Sequence, residues 1–329
     1  MYDVVIVGAG PIGLACGISA KRRNLNALII DKGGLVNSLV GYPTNMEFFS
    51  TPELLEIGGH PLTTFRYKPI REEAIDYYRG VAVAEKLQIK LYEAVTGLEG
   101  EDGSFTVLTE KGAYRCRKVV LATGFFDRPR LLGVPGEDLP KVTHYYKEPY
   151  PYMLRKVAII GAKNSAAKAA LECFRMSAEV TLVIRESGIS DSVKYWIKPD
   201  LENRIREGSI KAFFNSHVTR ITPDALHFDS PDGPQVIEND HVLALTGYEP
   251  DYTLLNLFGI TCRDDEMLTP ELNEETFETS RPGVYMAGTV CGGLNTSRWF
   301  IENGRDHAER IMEDIRRRQE GWDPKNITG

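Results

Sequence analysis

The chain has 329 residues, 42% of them apolar and 26% charged, with a formal net charge of −7. That length exceeds what one hydrophobic core serves and points to two domains, while the acidic balance removes nucleic acid and anionic membrane as expected partners. The apolar runs fall far short of a membrane span, and the five cysteines (Cys16, Cys116, Cys173, Cys262, Cys291) form neither a disulfide framework nor zinc spacing.

A strand-like run begins almost at the first residue with no signal-peptide pattern, so the cytoplasm is the expected compartment. Residues 4–7, VVIV, are continuously apolar, as a buried parallel strand requires. Gly8-Ala9-Gly10-Pro11-Ile12-Gly13 follows and fits G-x-G-x-x-G. In that pattern Gly8 makes the tight turn, Gly10 lets the backbone approach a pyrophosphate, and Gly13 lets the helix pack closely on the strand. A helical stretch then leads to a second apolar strand, residues 27–30, that ends at Asp31. This carboxylate lies 21 residues beyond Gly10, where it would accept hydrogen bonds from a ribose.

The device occurs twice. Residues 157–160 form another apolar strand, followed by Gly161-Ala162-Lys163-Asn164-Ser165-Ala166. Lys163 replaces the middle glycine and Ala166 the third. A Cβ at 163 keeps the backbone farther from phosphates, and the ammonium is placed to reach one instead. The next strand, residues 180–184, ends at Arg185 rather than at an acid, which favours a 2′-phosphate and hence NADP(H). Lys194 is a second candidate for that phosphate.

A larger repeat surrounds both turns. Residues 95–124 and 218–247 each read as alternating strands, a turn and an apolar strand ending in Gly, so each half resembles a βαβ unit followed by a meander. A further buried strand at 283–288 and a final amphipathic helix from near Ser297 to about Arg318 would complete the first sheet. The expected fold is α/β with two Rossmann-like dinucleotide-binding domains, the first discontinuous: residues 1–127 and 249–329 for FAD, and 128–248 for NADPH. Two such sites suit one flavin and one nicotinamide, with hydride passing between them. The start of the last helix is the candidate to stabilise reduced flavin.

Here the chain resembles the two-dinucleotide-binding flavoproteins that include low-molecular-weight thioredoxin reductases, through GAGPIG, LATG at 121–124, LTGYEPD at 245–251 and PGVYMAG at 282–288. Within them it is most similar to the YpdA-type bacillithiol-disulfide reductases, through GYPTNMEFFST (41–51), HYYKEPYPY (144–152), GAKNSA, KYWIKP (194–199) and FIENG (300–304). The resemblance implies that Gly8, Gly10, Pro11, Ile12, Gly13 and Asp31 hold FAD phosphates and ribose. It implies that Val95 meets the adenosine through its backbone, and that Thr123 and Gly124 lie against the flavin. Gly288 would approach the ribitol phosphate region, and the helix near Ser297 would face the flavin pyrimidine. Gly161, Lys163, Asn164, Ser165, Ala166, Arg185 and Lys194 would take NADPH. A homodimer, and an electron acceptor that is a low-molecular-weight disulfide or a small redox protein, are also implied; no metal is.

Two departures stand out. The wider family has Asp after the closing Ala-Gly, whereas this chain has Thr289, as YpdA-type proteins lack that Asp. YpdA-type proteins also carry a Cys directly after G-x-G-P, proposed to meet the disulfide, and here that residue is Ile12. No C-x-x-C replaces it. Cys16 lies one helical turn beyond, about 6 Å along the axis, and is a weak substitute whose expected role is packing. Cys291, in the loop before the last helix, is a second outsider.

Two other classes share this plan. A flavin monooxygenase carries F-x-G-x-x-x-H before its second glycine turn; His144 matches the His, but Asp138 and Pro140 replace Phe and Gly. A non-catalytic NADPH redox sensor would follow if Lys163 blocked nicotinamide entry. Tyr145, Tyr146, Tyr150 and Tyr152 read as packing residues, and residues from Gly321 onward as a loose tail.

Overall fold

A computed structural model describes residues 1–321, so of the expected tail only Gly321 falls within the described residues. In chain order the first strands and helices are β1 (Tyr2–Val7), α1 (Pro11–Arg22), β2 (Ala27–Ile30), α2 (Asn37–Gly41), α3 (Pro52–Leu55) and α4 (Arg71–Ala84). The strands β3 (Ile89–Lys90), β4 (Val95–Glu101), β5 (Ser104–Thr109), β6 (Ala113–Leu121) and β7 (Val142–Thr143) follow. Next come β8 (Lys156–Ile160), α5 (Asn164–Arg175), β9 (Glu179–Val183), α6 (Lys198–Arg206) and β10 (Lys211–Phe213). The remainder is β11 (His217–Ile221), β12 (Ala225–Ser230), β13 (Gly233–Glu238), β14 (His241–Ala244), α7 (Tyr252–Leu257), β15 (Val284–Met286), α8 (Ile301–Gly304) and α9 (Asp306–Gln319).

These elements part into two compact units. Among the described residues the first comprises 1–40, 46–128 and 248–321, and the second 41–45 and 129–247. Residues 41–45 join the second unit through the Thr44 N–H donating to the Lys147 carbonyl at 2.9 Å and the Lys147 ammonium donating to the Gly41 carbonyl at 2.6 Å.

The first unit is built on a seven-stranded sheet ordered β3-β2-β1-β6-β5-β4, with β15 also pairing β6. The long β6 makes this possible by dividing its partners. Its residues 116–121 run parallel to β1, residues 119–121 also to β15, and residues 113–116 antiparallel to β5. Residues 4–6 of β1 are wholly buried, so the run that looked like a central strand is one. Above it α1 is rich in small residues, and it opens with Pro11 at its first turn, where no helical donor is needed. Lys21 and Arg22 close α1 at the end where cations favour the helix dipole.

The second unit has a five-stranded parallel sheet, β10-β9-β8-β14-β7, and a separate three-stranded antiparallel sheet, β11-β12-β13. Tyr146 and Tyr152 are buried in its core with stacked rings 6.2 Å apart, whereas Tyr150 is exposed. His144 braces this unit: its Nδ1 lies 3.2 Å from the Ala244 carbonyl and its Nε2 3.5 Å from the Glu137 carboxylate.

The last helix differs from expectation. It starts at Ile301, not near Ser297, and it is broken into α8 and α9 around Gly304-Arg305. Residues 293–299 are instead folded as turns and irregular backbone. Asn295 Oδ1 accepts the Ser297 N–H at 3.3 Å, and Asn303 Oδ1 takes the Phe300 N–H at 2.7 Å while its Nδ2 donates to the Arg298 carbonyl at 3.1 Å. Side-chain amides thus satisfy the backbone that a helix would otherwise pair.

Candidate functional site

The glycine turn of the first unit has the geometry its spacing demands. Gly8 has φ +113°, and a Cβ there would overlap the Ala122 carbonyl; a Cβ on Gly13 would overlap the Gly8 carbonyl. Both contacts hold the start of α1 hard against the strand ends. Gly10 is the opposite case: no atom lies within 4 Å of where its Cβ would stand, and no side chain caps the helix there. An uncapped helix N-terminus with open space at its bare glycine is the cradle a pyrophosphate fills. Asp31 ties this turn to the end of β2, its Oδ2 accepting the Ala9 N–H at 2.6 Å and its Oδ1 the Gly33 N–H at 2.7 Å. Burial raises the Asp31 pKa against these two hydrogen bonds, which pull it down.

Across the strand ends lies Thr123, whose Oγ1 is buried with no hydrogen-bond partner. A buried orphan hydroxyl beside the cradle is what a polar ligand atom would satisfy. Gly124 follows with φ +69° and Thr289 Oγ1 3.6 Å from its Cβ position, so Thr289 stands near the turn. Gly288 has φ +80° and sits against Ile12, with the Ile12 Cγ1 3.0 Å from its Cβ position. Gly304 packs on Ile12 as well, so Ile12 is a buried packing contact for two glycines. Val95 opens β4, opposite Thr109. Ser297 is exposed in the turn region and does not begin a helix, so it is not the helix-end group expected at the flavin.

His307 was invisible in the sequence. The Gly288 N–H donates to its Nδ1 at 3.1 Å, which leaves the proton of the neutral ring on Nε2. Nε2 is buried with no hydrogen-bond partner, and the ring stacks on Phe277 at 3.8 Å and meets Trp299 edge-on at 4.3 Å. Burial, with Arg310 and Arg298 adding to it, lowers the pKa to about 4, so the ring is neutral at ordinary pH and clamps Gly288. A single His in an amphipathic stretch carries no periodic or spacing signal that could have marked it.

The thiols are inert by the same physics. Cys16 is wholly buried on α1, and burial pushes its pKa up to about 12, with Glu309 adding to the rise. Cys291 is buried 4.0 Å from His307 Nδ1, and desolvation drives its pKa up as well. Cys116 and Cys173 reach about 12, and Cys262 is also raised. A thiolate nucleophile needs a lowered pKa and access, and none of the five has both. Among the described residues no cluster of His, Cys, Asp and Glu can hold a metal ion, and no helix is long and apolar enough to cross a membrane.

The second turn is looser. Gly161 has φ +133° with the Leu245 carbonyl oxygen 2.6 Å from its Cβ position, but the Ala166 methyl stands 3.3 Å away where the first turn has bare Gly13. Lys163 is the N-cap of α5 and caps nothing with its side chain; Lys163 and Ser165 are both exposed. Asn164 is differently employed: its Nδ2 donates to the Ser192 carbonyl at 2.9 Å and its Oδ1 accepts the Lys194 N–H at 3.0 Å. Its amide therefore pins the loop after β9. Arg185 stands exposed just beyond β9 and pairs with Glu186 at 3.2 Å, an exposed contact that is easily exchanged for a phosphate.

The family model described as pyridine nucleotide-disulphide oxidoreductase matches residues 5–288. Bacilliredoxin reductase Bdr of Bacillus subtilis (strain 168) is 41% identical over 317 residues, spanning 96% of this chain and 98% of that protein. The solved structures of bacillithiol disulfide reductase Bdr (YpdA) from Staphylococcus aureus and Bacillus cereus are each 39% identical. They superpose with TM-scores of 0.92 and 0.93, covering 95% and 96% of this chain and 98% and 99% of theirs. The chain belongs to the pyridine nucleotide-disulphide oxidoreductase family and is an enzyme that takes FAD and NADPH as cofactors.

Proposed function

We propose that this reductase carries two electrons from NADPH to a low-molecular-weight disulfide of the bacillithiol type, without a thiol of its own. The balance is NADPH + H⁺ + RSSR → NADP⁺ + 2 RSH. Bound FAD supplies the relay by which a nicotinamide hydride becomes the electron pair that breaks the S–S bond. The observation that carries the reading is the state of the cysteines: Ile12 stands where the resemblance to YpdA-type proteins implies a Cys, and Cys16 and Cys291 are buried with raised pKa values.

The first unit, expected from sequence as 1–127 and 249–329, is the FAD-binding domain. In it the Gly10 cradle and the α1 N-terminus take the pyrophosphate, Asp31 the ribose, and Thr123, Gly124 and Gly288 the flavin side. The second unit, expected as 128–248, holds NADPH through the α5 N-terminus, Lys163, Ser165 and Arg185. One relative is named for a small redox protein and others for a disulfide as acceptor, and the buried thiols favour the small molecule, which needs no thiol relay on a protein surface. We place the enzyme in the cytoplasm as a homodimer.

The test is turnover with bacillithiol disulfide by the Cys16→Ala, Cys291→Ala double variant. Activity within about twofold of the parent is expected, since small buried changes cost stability more than chemistry. A loss of disulfide turnover with NADPH-dependent flavin reduction intact would contradict the thiol-free reading. A parent enzyme that reduces only a dithiol protein would assign the acceptor to the other class.

A further inference from the structure

Residues 185–198 leave β9 and return to α6 as a loop that is tied down along its length. Asn164, the first residue of α5, grips it with both ends of its amide, at Ser192 and Lys194. The Ser190 N–H donates to the Ala162 carbonyl at 3.1 Å, and Lys198 Nζ reaches the Asp191 carboxylate at 2.6 Å. Ile189 and Val193 are buried in the core of the second unit, and Ile197 packs against it. These three inward residues are spaced four apart, so the segment between the last two is turned outward.

That outward segment carries Tyr195, 82% exposed, and Trp196, 46% exposed, with their rings edge to face at 4.8 Å and 89°. Tyr195 gains little from folding and Trp196 leaves nearly half its surface accessible on an anchored loop, which marks such a pair as a contact surface. Their place is specific. Tyr195 follows directly on Lys194, whose N–H is held by the first residue of α5, and the loop itself begins at Arg185. The aromatic pair is therefore fixed beside a helix N-terminus suited to a pyrophosphate and on the same loop as cations suited to a 2′-phosphate.

We infer that Tyr195 and Trp196 form a preorganised platform on which the adenine of NADPH stacks, with Asn164 as the positioning residue that sets its place. The inference rests on the assignment of NADPH to the second unit and adds the residues that read the base. A purine offers a flat π-face to an aromatic ring, and losing one such contact weakens binding about tenfold or more. Because the loop is anchored before the ligand arrives, little ordering entropy opposes stacking.

The probe is 2′,5′-ADP, which carries the adenosine and the 2′-phosphate but has no nicotinamide to reduce the flavin. Titrated into the FAD-loaded protein, it quenches tryptophan fluorescence, and Trp196→Phe abolishes that quench while changing affinity less than threefold. Tyr195→Ala and Trp196→Ala each weaken 2′,5′-ADP about tenfold and raise the NADPH KM to match, with kcat within twofold. Asn164→Ala gives the same KM effect without removing the quench at saturation. Retention of the quench in Trp196→Phe, or wild-type affinity in both alanine variants, overturns the platform. Failure of NADPH to bleach the wild-type flavin would instead overturn the functional reading on which it rests.

Discussion

The two glycine turns of this protein solve one problem to different tolerances. In the first, Gly8 and Gly13 leave no room for a Cβ, and α1 is pressed onto the strand ends with the space at Gly10 open. In the second, Ala166 stands where Gly13 would, its methyl 3.3 Å from the Gly161 Cβ position, and a lysine with an exposed side chain replaces the middle glycine at the α5 N-terminus. Close backbone approach gives many short hydrogen bonds and slow release, which suits a group that stays. A looser cradle with a flexible cation suits a donor that arrives and departs. The surrounding sheets differ as well: β6 ties the first meander into the main sheet, whereas the second meander forms a separate sheet.

The comparison breaks first at the turn glycines. Gly8→Ala places a side chain at φ +113° against the Ala122 carbonyl, a strain of about 2 kcal/mol or more. It is expected to yield protein without visible flavin absorbance after gel filtration, whereas Gly161→Ala keeps its colour and loses NADPH reduction. Equal loss of flavin in both variants would erase the distinction between the units.

A second test concerns the clamp on Gly288. The His307 pKa falls from 6.5 unfolded to about 4 folded, so between those values the unfolded chain binds more protons, and stability is lost as the pH is lowered from 6.5 towards 4. The contribution lost across that window is about 3 kcal/mol. Thermal midpoints of the wild type should therefore drop more steeply than those of His307→Asn, which keeps an acceptor for the Gly288 N–H but does not titrate. Parallel curves would show that His307 does not carry this dependence.

Smaller effects separate the nucleotide contacts. Arg185→Ala is expected to raise the NADPH KM about tenfold, or about 1.4 kcal/mol, and to leave the NADH KM unchanged. Lys163→Ala should raise the NADPH KM only about two- to fourfold, with the difference fading at high salt, because the ammonium is exposed and screened. A Lys163→Ala enzyme that reduced its flavin faster than the parent would favour the blocking role considered for a sensor.

Both βαβ cores were legible because an apolar run, a glycine turn and a small-residue helix are local signals. The strands at 4–7 and 157–160 and the strand ends before Asp31 and Arg185 lie within two residues of expectation. What failed was non-local. The last helix looked continuous from Ser297 because its apolar spacing is helical, yet the Asn295 and Asn303 side chains satisfy the backbone ahead of Ile301. Residues 41–45 join the second unit through two hydrogen bonds to Lys147, which no pattern announces. Asn164 was assigned to the nucleotide by resemblance, and the bonds of its amide to Ser192 and Lys194 were not legible in the sequence. His307 acts through the Gly288 N–H and two aromatic faces, partners assembled only by the fold.

The most direct measurement is anaerobic mixing of the purified protein with NADPH while the visible flavin spectrum is followed. The account predicts a yellow protein whose flavin bleaches rapidly with NADPH, far more slowly with NADH, and regains colour when bacillithiol disulfide is added. A colourless protein that takes up no FAD, or a flavin that NADPH leaves oxidised, would contradict it.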